Sequence, residues 1–183
     1  MPAARLAGVV SIAIMLSACS SAPTIPIAES VDLPRFMGDW HVIANIPTFI
    51  ERDAHNAVES YRLDPDGTIA TTFTFRQGGF DGERKRYRPR GFVIDDRSNA
   101  VWGMQFVWPF KGDFRIVYLD PEYSQTVIGR EKRDYVWIMA RKPTMPDADY
   151  ERIIELLGRE GYDTRKIQRV PQRWQPEAVP RRG

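Results

Sequence analysis

Cysteine and histidine, which often serve as nucleophiles, general bases or zinc ligands, are scarce in this 183-residue chain. The sequence contains one cysteine, Cys19, and two histidines, His41 and His55. The histidines do not have the spacing of a metal-binding pair. There is no glycine-rich phosphate loop, and nothing in the pattern indicates a nucleophile, histidine and carboxylate triad. We therefore expect a protein that is not an enzyme and that uses no cofactor and no metal.

The single cysteine lies where a bacterial lipoprotein signal would place it. Residues 1–18 comprise a weakly positive start, an apolar run over 6–16 that is too short to span a bilayer, and small residues before Cys19. This order resembles a lipobox, so we predict a signal peptide over 1–18. A plain secretory signal with an incidental cysteine is the alternative. Ser20, rather than aspartate, follows Cys19, and by resemblance to sorted lipoproteins this favours the bacterial outer membrane, with the protein on its periplasmic face.

Acyl chains on Cys19 are the predicted link between the protein and a membrane. Several acyl chains anchor a protein firmly, whereas one chain alone is marginal. Residues 19–30 are mostly small and uncharged and contain proline, so we predict a lipidated cysteine followed by a flexible tether. The formal net charge of the whole chain is only +2, and we therefore expect no nucleic-acid partner.

After the tether, alternating apolar and polar positions predict one strand after another. The predicted strands are residues 38–46, 57–63, 68–75, 84–94, 101–108, 114–119, 123–129 and 135–141. Short turn signals such as Asp64-Pro65-Asp66-Gly67 favour an up-and-down barrel or a sandwich. A helix is predicted to begin at Asp147 and to end at Gly158 or Gly161, and residues 164–170 could form one more short strand.

The strands place a set of apolar side chains on one face, and such a wall could surround an apolar ligand. The predicted inward-facing residues are Val42, Ala44, Tyr61, Ile69, Phe73, Phe75, Tyr87, Gly91, Trp102, Met104, Phe106, Phe114, Ile116, Tyr118, Trp137 and Met139. Ala44 and Gly91 are small enough to leave space, which favours a cavity over a barrel filled by these side chains. Glu59 shares the parity of Tyr61, so either it is a polar group at the cavity mouth or its strand is offset by one residue.

Other charged or titratable residues are predicted to face away from this wall. Four arginines share the outer face of one strand, namely Arg84, Arg86, Arg88 and Arg90. They are typical of a solvated charged face, and contact with anionic lipid head groups is the alternative. His41 has the parity opposite to Trp40 and should face outward, whereas His55 is expected in a loop at the open end.

Three motifs in order resemble those of the lipocalin family, in particular its bacterial outer-membrane members, which are similar to apolipoprotein D. They are Gly38-Asp39-Trp40, Leu119-Asp120-Pro121-Glu122-Tyr123 and Tyr135-Val136-Trp137-Ile138-Met139-Ala140-Arg141-Lys142-Pro143. Val107-Trp108-Pro109-Phe110 and Glu160-Gly161-Tyr162-Asp163 also look like this branch. The resemblance covers roughly residues 31–170, which we take as one domain, followed by a flexible tail over 171–183.

The resemblance implies an all-β fold, an eight-stranded antiparallel up-and-down barrel with one C-terminal α-helix packed on its side. In this family the arginine of the last motif lies across the tryptophan of the first motif at the closed end, which pairs Arg141 with Trp40. Structural roles are accordingly expected for Gly38, Trp40, Asp120, Tyr123 and Arg141.

The resemblance also implies a function in which the barrel binds, stores or transports an apolar molecule within the bacterial envelope. We expect a fatty acid or a lysophospholipid, held by the inward-facing residues. The alternative is a structural or interaction lipoprotein with a filled barrel, in which a homodimer buries Trp108. An enzyme that acts on lipids is a weaker third hypothesis, because neither a reactive thiol nor a histidine cluster is present.

Overall fold

The computed structural model describes residues 24–174. The predictions made for residues 1–23 and 175–183, among them the signal peptide, Cys19 and most of the tail, lie outside the described residues. In chain order the elements are α1 (Leu33–Phe36), β1 (Gly38–Ile46), β2 (Ala54–Leu63), β3 (Ile69–Gln77), β4 (Arg84–Tyr87), β5 (Arg90–Val93), β6 (Val101–Val107), β7 (Phe110–Leu119), β8 (Gln125–Gly129), β9 (Val136–Ala140), α2 (Asp147–Arg159), a 3₁₀ turn (Thr164–Lys166) and β10 (Gln168–Arg169).

The strands form a closed antiparallel barrel. They pair in sequence order around the barrel, and β1 also pairs with β9, which closes it. β4 and β5 both pair with β3 and form one interrupted strand, so the barrel has the eight strands that were predicted. The interruption falls at Arg88-Pro89, because proline has no N–H to donate to a neighbouring strand. The predicted fold class is confirmed.

The bounds of the predicted strands agree with the structure best at β1 and differ most at the starts of β2 and β7. β2 begins earlier than predicted, at Ala54, and β7 begins earlier, at Phe110. Val107 pairs with Phe110 across Trp108-Pro109, so the β6–β7 hairpin has a two-residue turn. Residues 110–113, which the prediction left between two strands, therefore belong to β7, whereas Trp108, which was predicted to end a strand, lies in the turn.

Two hydrophobic clusters stabilise the fold. The inner cluster lies within the barrel and includes the fully buried Trp40, Phe75 and Trp102. The outer cluster lies between the barrel wall and α2, which contributes the buried side chains of Ile153 and Leu157. Because both clusters combine residues of many strands, the described part of the chain has a core of its own.

The helix packs on the side of the barrel, as the resemblance implied. α2 begins at Asp147, as predicted, and ends at Arg159, between the two glycines that were expected to end it. Asp147 and Asp149 lie in the first turn and Arg159 in the last, which suits the helix dipole.

Two β-bulges change which side chains face the interior. In β1 the pairing with β9 shifts between Val42 and Ala44. Ala44 consequently joins the outer cluster, and the prediction that it faces the interior is wrong. In β7 the pairing with β8 shifts between Ile116 and Tyr118. Tyr118 therefore packs on the outer cluster and accepts a hydrogen bond from Arg152 of α2 at 3.1 Å, so its predicted inward position is also wrong.

Arg141 covers Trp40 at one end of the barrel. The guanidinium carbon lies 3.8 Å from the centroid of the indole ring. Nη1 donates to the Asp39 carbonyl at 2.9 Å, and Nη2 donates to the Arg35 carbonyl at 2.8 Å. Gly38 has a φ of +95°, and a Cβ at this position would lie 3.3 Å from Nη1, which explains why glycine is found here. These contacts close this end of the barrel.

Asp120 and Tyr123 hold the turn between β7 and β8 against the same end. The Asp120 carboxylate accepts a hydrogen bond from the Ser124 backbone at 2.7 Å. Tyr123 has a φ of +56°, and its hydroxyl accepts a hydrogen bond from the Asp32 backbone at 2.8 Å. The Arg35 guanidinium lies 4.0 Å from the Tyr123 ring. The turn is thus joined to α1, which lies across the closed end.

Candidate binding cavity

A cavity of about 460 Å³ opens at the end of the barrel opposite Trp40. The loop between β1 and β2, the β6–β7 hairpin and the loop between β8 and β9 form its rim. The lining residues are Thr48, Phe49, Ile50, Glu51, Glu59, Phe73, Tyr87, Met104, Phe106, Val107, Gly112, Asp113, Phe114, Arg130, Tyr135 and Trp137. Apolar and aromatic side chains dominate this set, as they do in sites that bind small apolar molecules.

Six of the residues predicted to face inward line this cavity. They are Phe73, Tyr87, Met104, Phe106, Phe114 and Trp137. Phe73, Met104 and Phe114 are buried in its wall, whereas Phe106 is exposed at the rim. Strand alternation therefore located six of the sixteen lining residues.

The remaining inward residues fill the barrel below the cavity. They are Val42, Tyr61, Ile69, Phe75, Trp102, Ile116 and Met139, all buried in the inner cluster. Trp102 stacks on Phe114 with ring centroids 4.9 Å apart. A Cβ on Gly91 would lie 3.3 Å from the Ile69 Cβ, so this glycine makes room for core packing and not for the cavity. The barrel is filled at its closed end and open at the other.

Most lining residues that the strand pattern missed belong to loops and hairpins at the rim. Residues 48–51 lie in the loop between β1 and β2, and Arg130 directly follows β8. The alternation of a strand carries no information about loop side chains. The signal that could have found this loop is the apolar pair Phe49-Ile50 between polar neighbours.

Glu51 fastens the loop between β1 and β2 to the cavity wall. Its side chain is 2% exposed. Oε1 accepts hydrogen bonds from the Thr48 backbone at 2.9 Å and from the Thr48 hydroxyl at 2.7 Å. Oε2 accepts a hydrogen bond from Nε1 of Trp137 at 2.9 Å. A carboxylate with these partners shapes the cavity, because it fixes both the loop and the indole ring.

Glu59 places a second carboxyl group in the cavity, so β2 is not offset, but the residue pairs with Trp40 across the sheet and lies at depth, which corrects its expected position at the cavity mouth. The carboxylate accepts a hydrogen bond from the Tyr61 hydroxyl. Burial raises the pKa of Glu59 to about 7, the hydrogen bond from Tyr61 opposes this shift, and the charge of Glu51 adds to it. Burial also raises the pKa of Tyr61 well above its usual range, and the adjacent Glu59 adds to that shift. Near neutral pH the deep part of the cavity therefore carries a partly protonated acid.

Arg130 brings a positive charge to the cavity mouth. Its Nη1 lies 3.3 Å from an Asp134 carboxylate oxygen, and its guanidinium carbon lies 5.2 Å from the Tyr135 ring. Nε of Arg130 is buried and has no hydrogen-bond partner within residues 24–174. The cavity is thus acidic at depth, through Glu59, and has a cation where it opens.

The two histidines lie apart from the cavity lining. His41 faces outward, as predicted, with its ring 5.0 Å from that of Trp174. Burial lowers the pKa of His41, and the charge of Asp39 opposes this shift. His55 lies at the open end but within β2, which corrects its predicted loop position, and its Nδ1 is 2.9 Å from the Asp53 carbonyl. Among the residues that the structure describes, no group of three or more His, Cys, Asp or Glu could hold a metal ion.

The arginine stripe lies on the outer face of β4 and β5 and the residues between them. All four side chains are exposed, namely Arg84, Arg86, Arg88 and Arg90. Arg90 lies 3.5 Å from a carboxylate oxygen of Asp66. This placement agrees with a solvated charged face, and contact of the stripe with lipid head groups stays a prediction.

Comparisons with known proteins agree with this architecture. A family model described as a lipocalin-like domain matches residues 31–172. The chain is 29% identical over 155 residues to temperature-induced lipocalin-1 of Arabidopsis thaliana, with 80% of this chain and 82% of the plant protein covered. It is also 29% identical over 165 residues to outer membrane lipoprotein Blc of Citrobacter freundii, with 86% of this chain and 90% of the relative covered.

A solved structure supports the fold independently. Insecticyanin from the tobacco hornworm Manduca sexta superposes with a TM-score of 0.65 at 13% identity, covering 82% of this chain and 85% of that one. At this identity the likeness concerns the fold alone.

The names of the bacterial relatives bear on localisation. The Citrobacter protein and further bacterial relatives are named outer membrane lipoproteins, which confirms the predicted localisation at the bacterial outer membrane. Within residues 24–174, no helix is long and apolar enough to cross a membrane. Acylation of Cys19 lies outside the described residues and stays a prediction.

Proposed function

The chain belongs to the lipocalin family, and on this premise we propose that it binds a fatty acid or a lysophospholipid in the barrel cavity while acyl chains on Cys19 hold it at the outer membrane. Proteins of this family are generally binding and transport proteins. The proposed role is to store or carry the apolar molecule within the bacterial envelope.

The cavity is the observation that carries the ligand proposal. Its volume of about 460 Å³ lies in the range of 300–1,000 Å³ that is typical of small-molecule sites. Phe73, Met104 and Phe114 provide a buried apolar wall, and Trp137 is fixed against it by Glu51. Transfer of an acyl chain from water to such a wall is favourable by about 0.8 kcal/mol for each methylene that is buried. The open half of the barrel therefore supports a binding protein over a filled, purely structural one.

The charges in the cavity favour a ligand that enters with its tail first. A carboxylate or phosphate at depth would lie near the Glu59 carboxyl group in a poorly hydrated space, where like charges repel strongly. Arg130 lies instead at the mouth, where an anionic head group could remain hydrated and meet a cation. We propose that the acyl tail occupies the depth and that the head group stays at the rim.

The lipid anchor of the proposal is supported by the lipobox before Cys19 and by the outer-membrane names of the relatives. Several acyl chains at one cysteine would keep the barrel at the membrane without a spanning segment. The acyl chains of the anchor would then keep the cavity, and the acyl ligand in it, next to the same membrane.

One measurement tests both parts of the proposal. Protein purified from the bacterial envelope is examined by native mass spectrometry, with a lysophospholipid offered to any fraction that carries no ligand. We expect a chain that begins at acylated Cys19 and carries one fatty acid or lysophospholipid. A mature chain without acyl groups would refute the anchor. A folded protein that takes up no acyl lipid would refute the ligand.

A further inference from the structure

An exposed apolar surface surrounds the cavity mouth. We call it the rim patch and define it as Phe49, Phe106, Val107, Trp108 and Phe110. Phe49 is 80% exposed, Trp108 81% and Phe110 77%. Large contiguous apolar surfaces are uncommon on soluble monomers and mark sites that contact a protein, a membrane or a ligand. We therefore expect the rim patch to contact a partner.

The rim patch is continuous with the cavity. Phe49, Phe106 and Val107 belong both to the exposed surface and to the cavity lining. Phe49 comes from the loop between β1 and β2, and the other members come from the β6–β7 hairpin, so two separate elements border the same opening. A partner that covers the rim patch therefore also covers the opening through which a ligand enters the cavity.

The course of the chain before α1 brings the tether to this half of the barrel. The Ile25 N–H donates a hydrogen bond to Glu131 Oε1 at 3.2 Å, in the loop between β8 and β9. The Glu131 N–H in turn donates to Asp113 Oδ2 at 2.7 Å, and Asp113 lines the cavity. The five peptide units from Cys19 to Thr24 span at most about 17 Å. An anchor on Cys19 would thus attach near the open end.

The chemistry of the rim suits the surface of a phospholipid bilayer. Aromatic side chains such as Trp108 are favoured where an apolar and an aqueous phase meet. Exposed cations lie on the rim-forming elements, namely Arg52, Lys111 and Lys132, and outnumber the two exposed acids of the rim loops, Asp53 and Asp134. Each such cation contributes about 1 kcal/mol near an anionic lipid surface. Aromatic side chains flanked by cations fit a membrane interface better than an apolar protein surface.

We propose that the rim patch is a membrane-contact surface, which enters the interfacial layer of the bilayer and opens the cavity directly onto it. An acyl ligand then passes between bilayer and cavity without crossing water. The inference rests on the proposed function for its ligand and its tether, but contact between rim and membrane can be measured without either.

The first test uses the chain from Ser20 onward, which keeps both core clusters and lacks the acylated cysteine. Binding is measured by flotation with vesicles of phosphatidylethanolamine and phosphatidylglycerol. The double variant Trp108→Ser and Phe110→Ser should lose at least about tenfold in vesicle partitioning, because two large apolar side chains no longer leave water. Neither residue lines the cavity, so solution binding of a monomeric lysophospholipid should be unchanged.

A matched control comes from the opposite end of the barrel. Ile94 is 66% exposed in the turn after β5, so Ile94→Ser removes a similar apolar side chain far from the rim. This control should partition like the unaltered chain. Equal partitioning of the rim variant and the unaltered chain would overturn the proposal, as would a dimer in sedimentation that buries the rim patch.

A second measurement does not depend on a loss of binding. Bromine-labelled lipids quench tryptophans that enter a bilayer, and Trp108 is the rim tryptophan. Trp108→Phe keeps an aromatic side chain, so the variant should still bind vesicles while the quenching owed to Trp108 disappears and only that of the cavity residue Trp137 can remain. Quenching equal to that of the unaltered chain would contradict insertion of the rim. If no lysophospholipid binds in solution, the proposed function fails, yet the vesicle results still decide the membrane contact.

Discussion

At the scale of single residues, Glu59 is a carboxyl group whose pKa lies far above its ordinary value. Its folded pKa of about 7 exceeds the ordinary value of 4.5, because the charged form is buried. The folded state therefore holds the proton more tightly than the unfolded state. Stability from this group is full below pH 4.5, falls as the pH rises towards 7, and stays lost above it.

Glu59→Gln should remove this pH dependence. The amide can still accept the hydrogen bond from Tyr61 but needs no buried charge. At pH 8 the variant should unfold with a free energy higher by up to about 3 kcal/mol, and the difference should vanish near pH 4.5. Denaturant unfolding across this range measures it. Glu83→Gln, at an exposed carboxylate, serves as the control. Parallel pH profiles for Glu59→Gln and the unaltered protein would show that Glu59 is not the buried acid.

At the scale of elements, Trp40 and Arg141 join α1, β1 and β9. The Trp40 Nε1 donates to the Phe36 carbonyl at 2.9 Å, and Arg141 Nη2 donates to the same carbonyl at 3.1 Å. The closed end is therefore a single unit of an indole, a guanidinium and backbone carbonyls. Its role is to hold the end of the barrel, and it lies outside the cavity lining.

Trp40→Ala should loosen the fold before it alters which ligand is bound. Removing a fully buried indole costs about 3–5 kcal/mol, because it leaves a void and unpaired partners. Trp174→Ala, at a side chain that is 46% exposed, should cost less than about 1 kcal/mol. Thermal and denaturant unfolding compare the two variants. Equal stability of Trp40→Ala and the unaltered protein would remove the structural role assigned to this residue.

The elements also show what the sequence can and cannot predict. Alternation with period two located the strands and the closed end, because both depend on local pattern and on motifs. It failed at Ala44 and Tyr118, since a bulge reverses parity and leaves no clear mark in the residues around it. Glu51 could not have been found, because its partner Trp137 is distant in sequence and the contact depends on a loop conformation.

At the scale of the whole molecule, the barrel has two ends with opposite properties. The closed end is held by a buried aromatic and arginine unit. The open end carries the cavity, the rim patch and the contact of Ile25 with Glu131 that directs the tether. The closed half is tightly packed and stabilises the fold. The open half leaves volume unfilled and so loses packing contacts, and the core of the closed half offsets this loss of stability.

The central claim is that the open half of the barrel binds an acyl chain, and Gly112 offers the most direct test. Gly112 lines the cavity, and a Cβ there would meet no atom closer than the Met104 carbonyl oxygen at 3.6 Å. Gly112→Ala should therefore fold without strain and leave most of the volume open. Gly112→Phe should direct its ring into the cavity, because its β6 partner Met104 lines the same cavity. Lys111→Phe, at the next position of β7, is an outward-facing control.

The decisive measurement is the titration of these variants with a fluorescent long-chain fatty acid. We predict one saturable site in the unaltered protein, in Gly112→Ala and in Lys111→Phe, and an affinity lower by at least about tenfold in Gly112→Phe, because the ring occupies the space of the acyl chain. Equal affinity in Gly112→Phe and Gly112→Ala, with circular dichroism unchanged, would contradict the account, as would the absence of saturable binding in the unaltered protein.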